Sequence, residues 1–236
     1  MNTKRFLMVG LCLLISGFFG ITQKTAASGH GGLTPIQKLG KMIMNDEPLS
    51  LHQNQSCTSC HADYVGWTGP DQEVNRAGTV YPGSVNTRFG NRKPPSAAYA
   101  TTSSLFDYDP SNNLFYGGNF WDGRATGWDL GNAAADQARG PFLNPLEQAL
   151  PDKAAVVQRV CIAHGKLFKK VWGAGVCKDV NGAFDKIALS IVAYEDSKDV
   201  NSFSSKYDAV MAGRDSFTSE ETADALFDRY GVSVLS

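Results

Sequence analysis

The sequence predicts a mostly α-helical protein in which long Gly- and Pro-rich segments are wrapped around something other than their own side chains. Three observations predict it. Helical spacing of apolar residues recurs on either side of a long middle stretch. That stretch, residues 62–131, is dense in Gly, Pro, Asn and aromatic residues with no sustained period. Just before it, "SCTSCH" at residues 56–61 gathers two cysteines and a histidine into five consecutive positions of a chain that has five cysteines and four histidines.

At the start of the chain, "MNTKRF" carries Lys4 and Arg5, an uncharged apolar run of about 15 residues follows, and "TQKTAAS" ends in small side chains. This is the pattern of a secretory signal peptide over residues 1–27, cleaved after Ala27. The run is shorter than the roughly 20 apolar residues that a membrane anchor needs. Leu11 stands before Cys12 where a lipoprotein site would want a small residue. Export points to the periplasm, where disulfides persist. The exported remainder has 19 basic against 23 acidic residues, a formal charge of −4, which excludes a nucleic-acid binder. No second long apolar run follows, so no membrane segment is expected after cleavage. The remaining residues suffice for one sizeable core.

From Leu33 to Met44, "LTPIQKLGKMIM" sets Ile36, Leu39 and Ile43 on one helical face, with Thr34 as N-cap and Pro35 in the first turn. A polar loop leads to the cysteine motif. Loops as long as residues 62–131 are functional when they occur inside a compact domain, and a bound cofactor gives them a surface to pack on. After Gly131 helices return. Asn144 and Pro145 open one through "NPLEQAL", Asp152 caps "KAAVVQRVCIAH", and "GAFDKIALSIVAYEDS" spaces Phe184, Ile187, Ile191 and Tyr194 at helical intervals. Thr218 with Glu221 forms a capping box for a last helix.

The motif admits three chemistries. A zinc ribbon wants two close cysteine pairs, whereas Cys161 and Cys177 are separated by fifteen residues and have no histidine at finger spacing. A redox dithiol wants a strand before it in a βαβ unit, and the residues upstream read as a helix and a polar loop. A single covalent c-type haem accounts for every part: thioethers from Cys57 and Cys60 to the two vinyl groups, and His61 on the iron. One turn of helix puts positions i, i+3 and i+4 on one side, as that attachment requires. Cys161 and Cys177 then remain to pair with each other, a link worth about 3 kcal/mol in the chain-entropy model, or to stay as two buried thiols. No sixth ligand for the iron stands out among His52, His164, Met42, Met44 and Met211. An open iron position follows from that reading.

With the haem motif in place, "LGKMIMNDEPLS", "QSCTSCH", "GNRKPPSAAYA", "GGNFWDGRATG", "AADQARGPFLNPLEQAL", "IVAYEDS" and "FSSKYD" together resemble the bacterial di-haem cytochrome c peroxidase family, MauG-related. The resemblance runs from about Leu33 to Phe227. It implies two cytochrome c-like lobes, of which residues 28–227 are the N-terminal one, a helical lobe with its Gly/Pro-rich loops packed around the haem. It also implies a peroxidatic haem on Cys57, Cys60 and a proximal His61, with Trp121 on the route between haems and Gln137 and Glu147 in the distal pocket. The activity implied is reduction of hydrogen peroxide to water, with electrons from a small periplasmic donor such as a cytochrome c or a cupredoxin.

Four features depart from the family pattern. The second CxxCH, expected shortly after Phe227, is absent, so residues 228–236 stand where the second lobe would begin and another domain or subunit would have to supply that haem. The family often has a distal histidine upstream of "RKPPS" and "SVNTRFGN" offers none, Lys93 stands where many members have a calcium-ligating asparagine, which argues against that ion, and Gln148 replaces a methionine. The residues also have plainer readings: Glu147 as a first-turn glutamate, Trp121 packed on haem or core, Gln137 as an exposed helix residue. The alternative function is a mono-haem electron-transfer or sensing protein without peroxidase activity. Oxidation of a protein side chain, as MauG-related members carry out, is a third.

Overall fold

Thr34 caps α1 (Pro35–Met44) by accepting from the Gln37 N–H, while the Gln37 side chain accepts from the Thr34 N–H at 2.9 Å. Leu39, Gly40, Ile43 and Met44 are buried, and Ile36 is half-buried at the edge of the predicted face. The structure, a computed structural model, describes residues 32–77, 80–218 and 221. The predicted signal peptide, Cys12 and the tail 228–236 lie outside them.

Eight α-helices and one two-stranded hairpin are found among the described residues. After α1 come α2 (Gln72–Arg76), β1 (Asp107–Asp109), β2 (Leu114–Tyr116), α3 (Ala133–Ala138), α4 (Gly140–Leu143), α5 (Lys153–Ala163), α6 (Gly165–Trp172), α7 (Val180–Glu195) and α8 (Lys206–Met211). The fold is mostly α, as the sequence predicts. Among the described residues no helix is long and apolar enough to cross a membrane.

The core is built on α7. Phe184, Ile187, Ile191 and Tyr194 are all buried along it, the face that their spacing predicts. It packs against α1, α3 and α5. The α1 crossing is so close that a Cβ on Gly40 would lie 1.9 Å from the Ser190 carbonyl oxygen. Ser190 is held in turn by the Trp172 Nε1–H at 2.9 Å and by its own hydroxyl bond to the Lys186 carbonyl at 2.7 Å. Helix α3 is almost all alanine, with Ala133, Ala134, Ala135 and Ala138 buried. Asp152 caps α5 as expected, accepting from the Ala155 N–H at 2.8 Å. Cys161 of α5 and Cys177 form the disulfide, closing the loop that contains α6.

The sequence reading departs from the structure in several places. Asn144 and Pro145 open turns and not a helix: the Asn144 side chain accepts from the Leu146 N–H at 3.0 Å, and its carbonyl accepts from both Glu147 and Ala149. An Asx-type bond of this kind offers the backbone an alternative to the helix. Helices α2, α6 and α8 and the hairpin went unread. The hairpin is short and exposed and gives no apolar alternation, Asp107 pairing with Tyr116 and Asp109 with Leu114. The helix predicted after Thr218 lies outside the described residues, although the Thr218 N–H does donate to Glu221 at 2.9 Å.

Replacing Gly40 by Ala is expected to lower stability by about 2–4 kcal/mol, because the new methyl meets backbone that cannot step aside. Urea unfolding would measure it. An unchanged midpoint would show that α1 and α7 can part without loss.

Candidate functional site

The cysteine motif is held in one tight turn. Cys57–Ser59 is a 3₁₀ turn opened by Ser56, whose N–H donates to the Ser59 hydroxyl at 3.0 Å. The Cys57 carbonyl accepts from the N–H groups of both Cys60 (3.1 Å) and His61 (2.9 Å). The i, i+3 and i+4 side chains therefore leave one turn together, as the spacing predicts. The loop beyond returns at once: Ala62 bridges Thr68, and His61 Nδ1 lies 3.1 Å from the Trp67 carbonyl oxygen. A carbonyl only accepts, so Nδ1 carries the proton and Nε2 keeps its lone pair for a metal. Burial pushes the His61 pKa down, with the Trp67 and Pro95 carbonyls opposing, which favours the neutral imidazole that ligates iron. Thr68 and Trp67 pin the "RKPPS" segment alongside, through Thr68 Oγ1 to the Pro94 carbonyl (2.7 Å) and the Ala97 N–H to the Trp67 carbonyl (3.0 Å).

Cys57 and Cys60 are free thiols. Burial first, then the negative charges of Glu195, Cys60 and Glu147, push Cys57 up to about 12. Burial and then Glu147 push Cys60 up to about 11, against a weak contact from the Gln55 amide. A redox dithiol needs easily formed thiolate. Among the described residues, moreover, no three His, Cys, Asp or Glu side chains converge as a metal-holding group. Protonated, partly buried thiols beside an imidazole with a free Nε2 suit covalent attachment of a haem.

The walls fit such a group. A cavity of about 350 Å³ reaches Cys60 and is lined by Gln55, Tyr81, Pro82 and Gly83. A second, of about 380 Å³, lies against Thr58, Trp67 and Tyr194, and both share Ser59 and Pro70. Gln55 Oε1 is buried with no partner, although its amide nitrogen donates to the Pro82 carbonyl at 2.9 Å. An orphaned acceptor next to an attachment cysteine marks a place where a further group or water belongs.

Glu147 reaches this site from a turn. Its carbonyl accepts from the Ser84 N–H at 2.8 Å, and a Cβ on Gly83 would lie 2.4 Å from the Leu146 carbonyl oxygen, so the strand-like segment at 82–84 can press against 146–147 only with glycine there. The carboxyl is half-buried. Burial raises its pKa, with the Asn144 side chain and the Arg124 charge pulling it down. Arg124 itself chelates Asp122 with two bonds of 2.8 and 2.9 Å and stacks 3.8 Å over the Phe120 ring. Arg124 of the "NFWDGRA" turn thus acts on the glutamate by its charge, its hydrogen bonds going to Asp122, and it is a residue that the sequence reading passed over.

The remaining candidates fall as follows. Gln137 is half-buried on α3, not exposed, and the described residues show no hydrogen bond between it and Glu147. Trp121 is 89% exposed, so it packs on no core. Glu147 is not a first-turn helix residue, since no helix forms there. Lys93 is exposed. His164 Nε2 is taken by Asp46 at 2.7 Å, His52, Met42 and Met211 are exposed, and Met44 is in the core. Gln148 is buried with both amide atoms lacking a partner. Glu195 was also missed: at the end of an apolar helix face, one charged letter gives no sign of facing inward.

A family model described as di-haem cytochrome c peroxidase matches residues 35–216. The chain is similar to the methylamine utilization protein MauG of Paracoccus denitrificans, 38% identical over 197 residues, covering 82% of this chain and 49% of that protein. It is similar to cytochrome c551 peroxidase of Pseudomonas aeruginosa, 32% identical over 164 residues, covering 67% of this chain and 38% of that one. Its structure resembles that of the diheme peroxidase BthA of Burkholderia thailandensis, with a TM-score of 0.68 and 28% identity, over 84% of this chain and 47% of that one. The chain therefore spans about half, or less, of the length of these relatives.

Burial pushes the Glu195 carboxyl from its ordinary 4.5 up to about 8. Between those values the folded chain holds a proton that the unfolded chain has released, so stability falls as pH rises. In the haem-free chain the loss from pH 5 to pH 8 is expected to be on the order of 4 kcal/mol more than in Glu195→Gln. Urea unfolding of both at the two pH values would measure it, and equal losses would place the carboxyl in water.

Proposed function

Since the chain belongs to the di-haem cytochrome c peroxidase family, we propose that it is a periplasmic haem protein that reduces hydrogen peroxide to water with electrons from a small donor protein. That family binds c-type haems. Cys57 and Cys60 would hold the one haem for which this sequence has a motif, with His61 as its proximal ligand. Bound there, it would supply an iron that takes peroxide and exchanges electrons.

What carries the reading is the placement of Glu147, half-buried and close enough to Cys60 and Cys57 for its charge to act on both thiols. Reduction of one peroxide consumes two electrons and two protons and yields two waters. A base must take a proton from one peroxide oxygen and hand it to the other as the O–O bond parts. A carboxyl whose pKa is raised by burial serves both halves of that transfer, and the Arg124 charge favours its ionised form. Gln137 is proposed as a hydrogen-bond donor beside it. Trp121, exposed on the turn that carries Arg124, is proposed to pass an electron to a second haem domain or subunit.

Glu147→Gln is expected to slow peroxide reduction by about 10²–10⁴-fold while the haem stays attached. Stopped-flow absorbance after mixing with peroxide would read it. Because the ionised carboxyl is the base, the wild-type rate should rise with pH through its raised pKa and the Gln variant should lose that rise. A variant as fast as wild type would remove Glu147 from the mechanism.

A further inference from the structure

Glu195 is a buried acid for which the peroxidase reading has no use. It ends α7 with 6% of its surface exposed, and no described residue gives its carboxyl a hydrogen bond or an opposite charge. Its neighbours in the chain are engaged: Asp196 accepts from the Thr101 hydroxyl at 3.0 Å, Lys198 lies over the Phe203 ring, and Asp199 pairs with Lys41 of α1 at 2.9 Å. The cations of the other elements packed on α7 are turned elsewhere. Arg139, between α3 and α4, binds Asp129, Asp136 and Asp185. From α5, Lys153 lies over the Phe184 ring and Arg159 donates to the carbonyls of Pro48 and Ser50. Lys178, in the turn before α7, is exposed.

The titratable group that Glu195 does act on is the Cys57 thiol, where its charge is the largest influence after burial. It does not figure among the groups acting on His61. Cys57 is one of the two points at which the haem is joined, so the carboxyl lies near the edge of a group whose iron gains and loses an electron. In a low-dielectric site without a compensating cation, an added electron favours the neutral acid and its removal favours the carboxylate. Packing alone would be served better by an apolar residue, since an unpaired buried acid costs stability.

We infer that Glu195 is a redox-linked proton site: its carboxylate takes a proton from solvent when the haem at Cys57 accepts an electron from a one-electron donor protein, and returns it when that electron leaves. The reduced, protonated state differs from the oxidised, ionised state by one electron and one proton, and no bond between chain and haem changes. This depends on the haem being attached at Cys57 and Cys60, and it extends the proposed function by giving the site a way to take up protons together with electrons.

The test uses the haem-loaded chain, with attachment checked first by mass spectrometry. A chain that carries no covalent haem would overturn the haem reading itself. With haem in place, the midpoint potential is measured spectroelectrochemically from about pH 5 to about pH 9. The wild type is expected to fall with pH, approaching about 59 mV per pH unit, which is the tenfold change in proton activity for a one-electron couple. Glu195→Gln should lose that slope while Glu195→Asp keeps a part of it. An equal slope in the Gln variant would assign the proton to the haem propionates and overturn the inference. Should the Gln variant fail to fold, the infrared difference between reduced and oxidised wild type decides. A protonated-carboxyl band that appears on reduction, absent from Glu195→Asp at the same frequency, is the expected result, and no such band overturns it.

Discussion

The close crossing of α1 and α7 is the constraint from which the rest of the molecule hangs. Gly40 lets the two backbones touch at Ser190, and that contact sets where both ends of α7 lie. One turn further along α7, Tyr194 meets Trp67 edge-on at 5.8 Å, and Trp67 is the residue whose carbonyl orients His61. A backbone contact in the core is thus two steps from the imidazole. The loop that presents His61 is irregular, but it is tied at Trp67 to the longest helix among the described residues, the kind of support that the proposed ligand role calls for.

Loops do the same for the other wall. The segments around Gly83, Asn144 and Leu51 are laced by backbone bonds, from Ser84 to Glu147 at 2.8 Å and from Leu51 to Gln148 at 2.8 Å. Leu49, Phe142 and Leu150, which flank these turns, tie them into the same apolar core as α1, α5 and α7. A ligand that filled the cavity beside Cys60 would add its binding free energy to the folded state.

The sequence was most legible where local rules and burial agree. Thr34, Asp152 and the apolar stripe of α7 read correctly because a cap and a 3.6-residue period both mark the same helix. The shared turn of Cys57, Cys60 and His61 was legible as well, because five fixed positions leave the backbone little freedom. The turn at 144–150 was misread because Asn followed by Pro opens turns as readily as helices, and only the Asn144 side-chain bond decides between them. Arg124 and Glu195 were invisible for a different reason. A charge on a sequence does not say whether it faces water, and only the fold brings the Arg124 charge to bear on Glu147 and the Glu195 charge on Cys57.

Two carboxyls therefore act by their charge on the cysteine motif, and the fold treats them differently. Glu147 has Asn144 and Arg124 to support its ionised form, which suits the proton-transfer role proposed for it. Glu195 has neither, and its burial holds the proton far more firmly. Pairs of acids whose surroundings push them apart are how one site separates a group that moves a proton from a group that stores one. The asymmetry comes from position alone: Glu147 sits on a polar turn where the Arg124 charge acts on it, whereas Glu195 closes the apolar face of the helix on which the whole core is built.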